Sequence, residues 1–183
     1  MMLRTNLPTN QQVEERWLQW RNGLNRQPER RVVLGLGNLP LGDEGLGVQA
    51  LRYLEWRFEG RSEIEWVDGG VLGMKLLPLI ESCSHLLVVD AVDAGRPPGT
   101  LTELGRREIL GRDIMRLSEH QVTFQDVLGL AMLLGRAPAN FRLIGLQPES
   151  MEPGTALSDP VIAGLPALAE RVREVIGAWG LLT

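Results

Sequence analysis

From residue 31 onward, short apolar runs alternate with stretches in which apolar residues recur every three or four positions. Val32–Leu36, Ile64–Val67, His85–Val92, Thr100–Leu104 and Asn140–Leu146 are rich in valine, isoleucine and leucine and bounded by glycine, proline or polar residues, so they read as strands. Between them, Glu44–Phe58 places Leu46, Val48, Leu51, Leu54 and Trp56 in a helical pattern. Leu72–Ile80 also reads as helix, with Pro78 expected to bend or shorten it. Thr123 is placed to cap a helix through Leu134, because its hydroxyl can accept from the free amides of a first turn. Ser158-Asp159-Pro160 combines a capping residue with an early proline and starts a last helix, expected to reach Gly177. Residues 105–117 have no clean period and read as mixed loop and helix.

Strands that alternate with helices predict an α/β domain, a mostly parallel sheet with helices on both faces. The Gly95–Gly99 turn (GRPPG) places Thr100–Leu104 antiparallel on an edge. Residues 1–30 stand apart from this domain, residues 31–183, as a polar amino-terminal extension. Within the extension Val13, Trp17, Trp20 and Leu24 fall on one face of an amphipathic helix. Such a helix either docks on the domain surface or meets a partner.

Composition narrows the class. A chain of 183 residues, 44% apolar and 23% charged, suits one soluble domain with a real core. A net charge of -4 argues against a general nucleic-acid binder. Cys83 is the only cysteine, which excludes an internal disulfide and any multi-cysteine zinc site. The opening MMLRTNLPTNQQ lacks the apolar core of a signal peptide, and no run approaches the ~20 apolar residues that span a bilayer. The expectation is a cytoplasmic protein without a membrane partner.

The chemistry concentrates around Val32–Val48, VVLGLGNLPLGDEGLGV. Strand, glycine turn and helix usually make a phosphate site, but this turn delivers the acids Asp43 and Glu44. A dinucleotide turn would need glycine where Pro40 stands, and the Gly-Lys-Ser/Thr of a phosphate loop is absent. There is no G-x-S-x-G nucleophile elbow.

Ligands of open α/β sheets bind beyond the carboxyl ends of the strands. Glu44 follows the first strand, Asp68 closes the second, Asp90 lies near the end of the third, and His120 sits in a loop shortly before a helix. His85 and Cys83 lie at the opposite end of the third strand, roughly 16 Å from Asp90 at ~3.3 Å per residue, and so cannot share its site. Glu44, Asp90 and His120 therefore form a candidate set of two carboxylates and an imidazole, suited to zinc or nickel with a coordination position left open. Each also has a plain structural reading: a helix-dipole acid, a strand-end hydrogen-bonding residue and a loop histidine.

The stretches GLGNLPLGDEGLGV, VDGGVLGMKLL, VVDAVDAGRPPGTL, SEHQVTFQDVL and LIGLQPESMEPGTALS, in collinear order over roughly residues 31–176, together resemble the maturation endopeptidases of nickel–iron hydrogenases. The resemblance implies a twisted five-stranded α/β sheet. It also implies a peptidase, often grouped as aspartic-type, that removes a carboxy-terminal extension from the large-subunit precursor after nickel has entered it. By motif, Glu44 in DEGLG, Asp90 in VVDAVD and His120 in SEHQ would hold a divalent metal ion. The same motifs leave open whether a metal polarises the scissile carbonyl or activates water, or whether Glu44 or Asp90 acts as a general base. Asp68, in DGG, is either a supporting residue beside these ligands or a turn-stabilising aspartate. The competing readings are a metal-sensing scaffold that binds the precursor without cutting it and a nucleotide-binding module. Family members begin close to their first strand, so the resemblance assigns no role to the extension. It would cover the domain, or contact the large subunit or another assembly factor.

Overall fold

The computed structural model of the protein describes residue 11 and residues 14–18, 29–59, 62–110 and 123–181. The elements in chain order are β1 (Arg31–Leu36), a 3-10 turn (Gly42–Gly45), α1 (Leu46–Arg57) and β2 (Ile64–Gly70). A second 3-10 turn (Gly73–Leu76), α2 (Leu77–Ser82), β3 (His85–Ala91) and β4 (Leu101–Leu104) follow. The chain continues with α3 (Arg106–Leu110), α4 (Phe124–Leu133), β5 (Asn140–Leu146) and α5 (Asp159–Ala178). The five strands form one sheet in the order β2-β1-β3-β5-β4. All pairs are parallel except β4 with β5, so the short strand after the GRPPG turn is the antiparallel edge that the turn implied.

Strand alternation splits the core in two. Val33, Leu87, Val89, Ile144 and Leu146 pack with Leu46, Leu54, Leu168 and Val172, which places α1 and α5 on one face. Val32, Leu34, Leu86, Val88 and Leu143 pack with Ile80, Phe124, Val127 and Leu128, which places α2 and α4 on the other. Asp90 has the parity of Leu86 and Val88 and so belongs to the α4 face.

Local details depart from the sequence pattern where long-range partners intervene. Strand β2 continues through Asp68-Gly69-Gly70, because β1 offers Gly35 and, past a bulge, Leu36 as pairing partners. Pro78 does not bend a helix: it sits in the first turn of α2, where its missing N–H costs nothing. Thr123 caps α4 as expected, in a reciprocal box with Asp126. Residues 14–18 are helical, with Trp17 and Leu18 exposed. Val13, Trp20 and Leu24, the rest of the expected apolar face, lie outside the described residues, as do residues 111–117.

Two glycines bring the first turn against the sheet. Gly37 has φ of 139°, and a Cβ there would strike the Glu44 carbonyl. Gly47, in the first turn of α1, lies where a Cβ would collide with the carbonyl oxygens of Leu36 and Val89. The helix thereby rests on the ends of β1 and β3 together. Gly47→Ala must push α1 away from both strands, and the expected loss is about 3 kcal/mol. Thermal or urea unfolding of the variant checks this, and unaltered stability would contradict the close approach.

Candidate active site

In this strand order the chain leaves β1 for β2 on one side and returns with β3 on the other. The crevice beyond the carboxyl ends of β1 and β3 is therefore the topological switch point, the place where open α/β sheets bind ligands. Glu44 enters it from the turn after β1, and Asp90 from the penultimate position of β3.

Asp90 is buried, with 1% of its surface exposed. One carboxylate oxygen, Oδ1, accepts from the Ala91 amide at 2.8 Å; the other, Oδ2, is buried without a partner among the described residues. Burial first, and the Glu44 charge in addition, raise the carboxyl to about 7, against a weaker downward pull from the Ala91 amide. Glu44 is half-buried, and its carboxyl is also raised by desolvation. Glu44 thus adds its negative charge to the field at Asp90, and no basic side chain among the described residues offsets either shift. Such a pair either holds a proton or binds a cation.

Among the described residues no group of three His, Cys, Asp or Glu side chains is gathered to hold a metal. The expected third donor, His120, lies outside those residues. In the chain it stands three positions before Thr123, the cap of α4, and α4 covers the sheet face on which Asp90 lies. The donors that are described fit a borderline or hard cation. A positive ion is the partner that an unpaired buried carboxylate oxygen lacks.

The acid pair of the turn is divided. Asp43 does not face the crevice as a free carboxylate but is 1% exposed and fully engaged. Its Oδ1 accepts from the Ser158 amide at 2.7 Å, and its Oδ2 accepts from the Glu149 amide at 2.8 Å, the Ser150 amide at 3.1 Å and the Ser158 hydroxyl at 2.8 Å. Burial alone would raise this carboxyl, but these hydrogen bonds outweigh it and hold the group below the usual range. The sequence pattern missed this role. Its only signal was the pair of serines, Ser150 and Ser158, far along the chain. Ser158 does stand at the head of α5, but its hydroxyl serves Asp43 and makes no cap to the helix amides.

Asp68 is exposed, and its Oδ1 accepts from the Gly70 amide at 3.0 Å, the bond of a turn-stabilising aspartate. Immediately beyond it Val71, Leu72 and Met74 are exposed, as is Met151 in the segment after β5. These apolar side chains follow the carboxyl ends of their strands, the edge from which the crevice opens. At the other end of β3, His85 is held between the Ser84 hydroxyl and the Asn140 amide, with its ring edge-on to Trp179. Burial pushes the Cys83 thiol up to about 12, so it is no nucleophile. Both lie away from Asp90, as the strand-length argument required.

The family description "hydrogenase maturation protease" matches residues 48–175. The chain belongs to the hydrogenase maturation protease family. It is 39% identical over 158 residues to the hydrogenase expression/formation protein HupD of Rhodobacter capsulatus, covering 85% of this chain and 75% of that protein. It is 35% identical to the hydrogenase 2 maturation protease of Escherichia coli K12, covering 83% of this chain and 93% of that one. Among solved structures, the hydrogenase maturating endopeptidase HybD from Escherichia coli superposes with a TM-score of 0.76 at 34% identity, over 82% of this chain and 94% of that one. The family assignment makes the protein a peptidase of hydrogenase maturation and gives the switch-point crevice its standing as the active site to test. No helix among the described residues is long and apolar enough to cross a membrane.

Proposed function

We propose that this peptidase removes the carboxy-terminal extension of a nickel-loaded precursor of a nickel–iron hydrogenase large subunit, and that Glu44, Asp90 and His120 form its metal-binding site. The observation that carries the reading is the buried Oδ2 of Asp90, without a partner among the described residues, beside a second carboxylate at the switch point. Its three donors leave a position for a ligand from the substrate. A divalent ion bound there would supply Lewis-acid polarisation of the scissile carbonyl or a more acidic water. The chain's own residues do the remainder. Asp90 and Glu44 hold the negative charge that the cation requires, and the exposed Val71, Leu72, Met74 and Met151 give the precursor tail an apolar edge. Burial brings the Asp90 carboxyl to about 7, which equips it to take a proton from water, and the upward shift of Glu44 favours the same role.

Mixing the purified protein with nickel-loaded precursor separates cutting from scaffolding. A mass loss equal to the tail supports the peptidase reading, whereas a stable uncut complex supports the scaffold. Glu44→Gln and His120→Ala are expected to fold normally and to leave the precursor uncut. Normal processing by both variants would sink the site assignment.

A further inference from the structure

The segment after β5 touches both loops that carry the described donors. Gln147 is buried at 6% exposure and spans two strands' ends. Its Oε1 accepts from the amides of Ala94 at 2.8 Å and Arg96 at 3.1 Å, and its Nε2 donates to Asp93 Oδ1 at 3.0 Å. Those residues form the loop that leaves β3 just beyond Asp90. Asp93 Oδ1 in turn accepts from the Gly95 amide, so the loop is closed on itself and tied to Gln147.

Eleven or fewer residues later the same segment holds the other loop. Glu149, Ser150 and Ser158 donate to Asp43, the residue next to Glu44. The backbone adds to this tie: the Asp43 amide donates to the Ser150 carbonyl, the Gly42 amide to that of Gly154, and the Gly154 amide to that of Pro40. A continuous path of hydrogen bonds thus runs from the end of β3, through Gln147 and the segment after it, to the turn bearing Glu44. Neither Gln147 nor Asp43 has a free polar atom to offer a substrate.

We propose that Gln147–Ser158 is a brace that fixes the spacing between Glu44 and Asp90, with Gln147 and Asp43 as its positioning residues. The proposal rests on the metal reading above, and it assigns to these two side chains the metal affinity and geometry of the site. Outer partners of metal ligands commonly change affinity by 10- to 100-fold when altered.

The test is an exchange of donor and acceptor. Gln147→Glu keeps the acceptor for Ala94 and Arg96 but turns the group facing Asp93 into a second carboxylate. Adding Asp93→Asn restores a donor opposite it. Affinity for Ni2+ and Zn2+ is read by calorimetric titration of the full chain, site geometry by the absorption spectrum with Co2+, and folding by the apo melting temperature. Gln147→Glu is expected to bind about 10- to 100-fold more weakly with an altered Co2+ spectrum. The double variant is expected to return both to the wild-type values.

Unchanged affinity and spectrum in folded Gln147→Glu would overturn the brace. So would a double variant that regains its melting temperature but not its affinity. If Gln147→Glu does not fold, Ser158→Ala carries the test, since it removes one of the four donors to Asp43. Wild-type affinity in that folded variant would likewise overturn the proposal. Wild-type protein that binds none of the three metals would defeat the metal reading itself, and the brace with it, an outcome distinct from metal binding that ignores these substitutions.

Discussion

Asp43→Ala is expected to destabilise the domain by roughly 4 kcal/mol, because unsatisfied buried donors cost about 1–3 kcal/mol each. The variant strands the amides of Glu149, Ser150 and Ser158 and the hydroxyl of Ser158. Against a total stability of about 5–15 kcal/mol this leaves a marginal fold. Asp43→Asn tests the charge separately. It preserves the shape but points an amide group at converging N–H donors, so it recovers only part of the loss.

The pH dependence has a definite sign. The native carboxyl of Asp43 is depressed, so its contribution is present above the unfolded value of about 3.9 and is lost as pH falls through the native one. Urea unfolding should therefore show wild type well above Asp43→Asn at pH 7, with the gap closing below about pH 4. A gap that stayed constant with pH would mean that the carboxylate form is not what the four donors select.

The contrast between Asp43 and Glu44 marks where the sequence stops being readable. The strands were legible because each is a compact apolar run between turn residues, and no edge moved by more than three positions. The candidate crevice was legible too, since the strand-end rule needs only chain order and polarity. What decides between adjacent acids is tertiary. The partners of Asp43 lie more than 100 residues away, and nothing local distinguishes it from its neighbour. The same long-range tie explains why Ser158, a good capping residue by type, gives its hydroxyl to Asp43 and not to α5. Gln147 was invisible for a related reason. A glutamine at the end of a strand looks like an ordinary surface residue until the loop after β3 folds over it.

Asp90→Asn should abolish precursor processing and yet make the protein more stable at alkaline pH. Burial holds the native carboxyl at about 7, whereas in the unfolded chain it titrates near 3.9. The native state therefore binds the extra proton between these values, and wild-type stability falls as pH rises through that window. The slope is about 1.4 kcal/mol per pH unit, so the full cost above pH 7 is on the order of 4 kcal/mol. Asparagine carries no such cost, although its amide group has no acceptor in the place of Oδ2, a penalty of about 1–3 kcal/mol. At pH 5 the two effects leave the variant no more stable than wild type; at pH 8 it should melt higher.

Divalent metal reverses the order. Wild type at pH 8 has an ionised, unpaired carboxylate ready for the ion, so Ni2+ or Zn2+ should raise its melting temperature, and more at pH 8 than at pH 6. Asp90→Asn should respond weakly at both. Gain of stability, loss of the metal response and loss of processing must occur together, because all three follow from one buried oxygen that has no partner among the described residues. A variant that lost processing while also losing stability at pH 8 would instead make Asp90 a structural residue, and would move the search for the metal site away from the β1–β3 switch point.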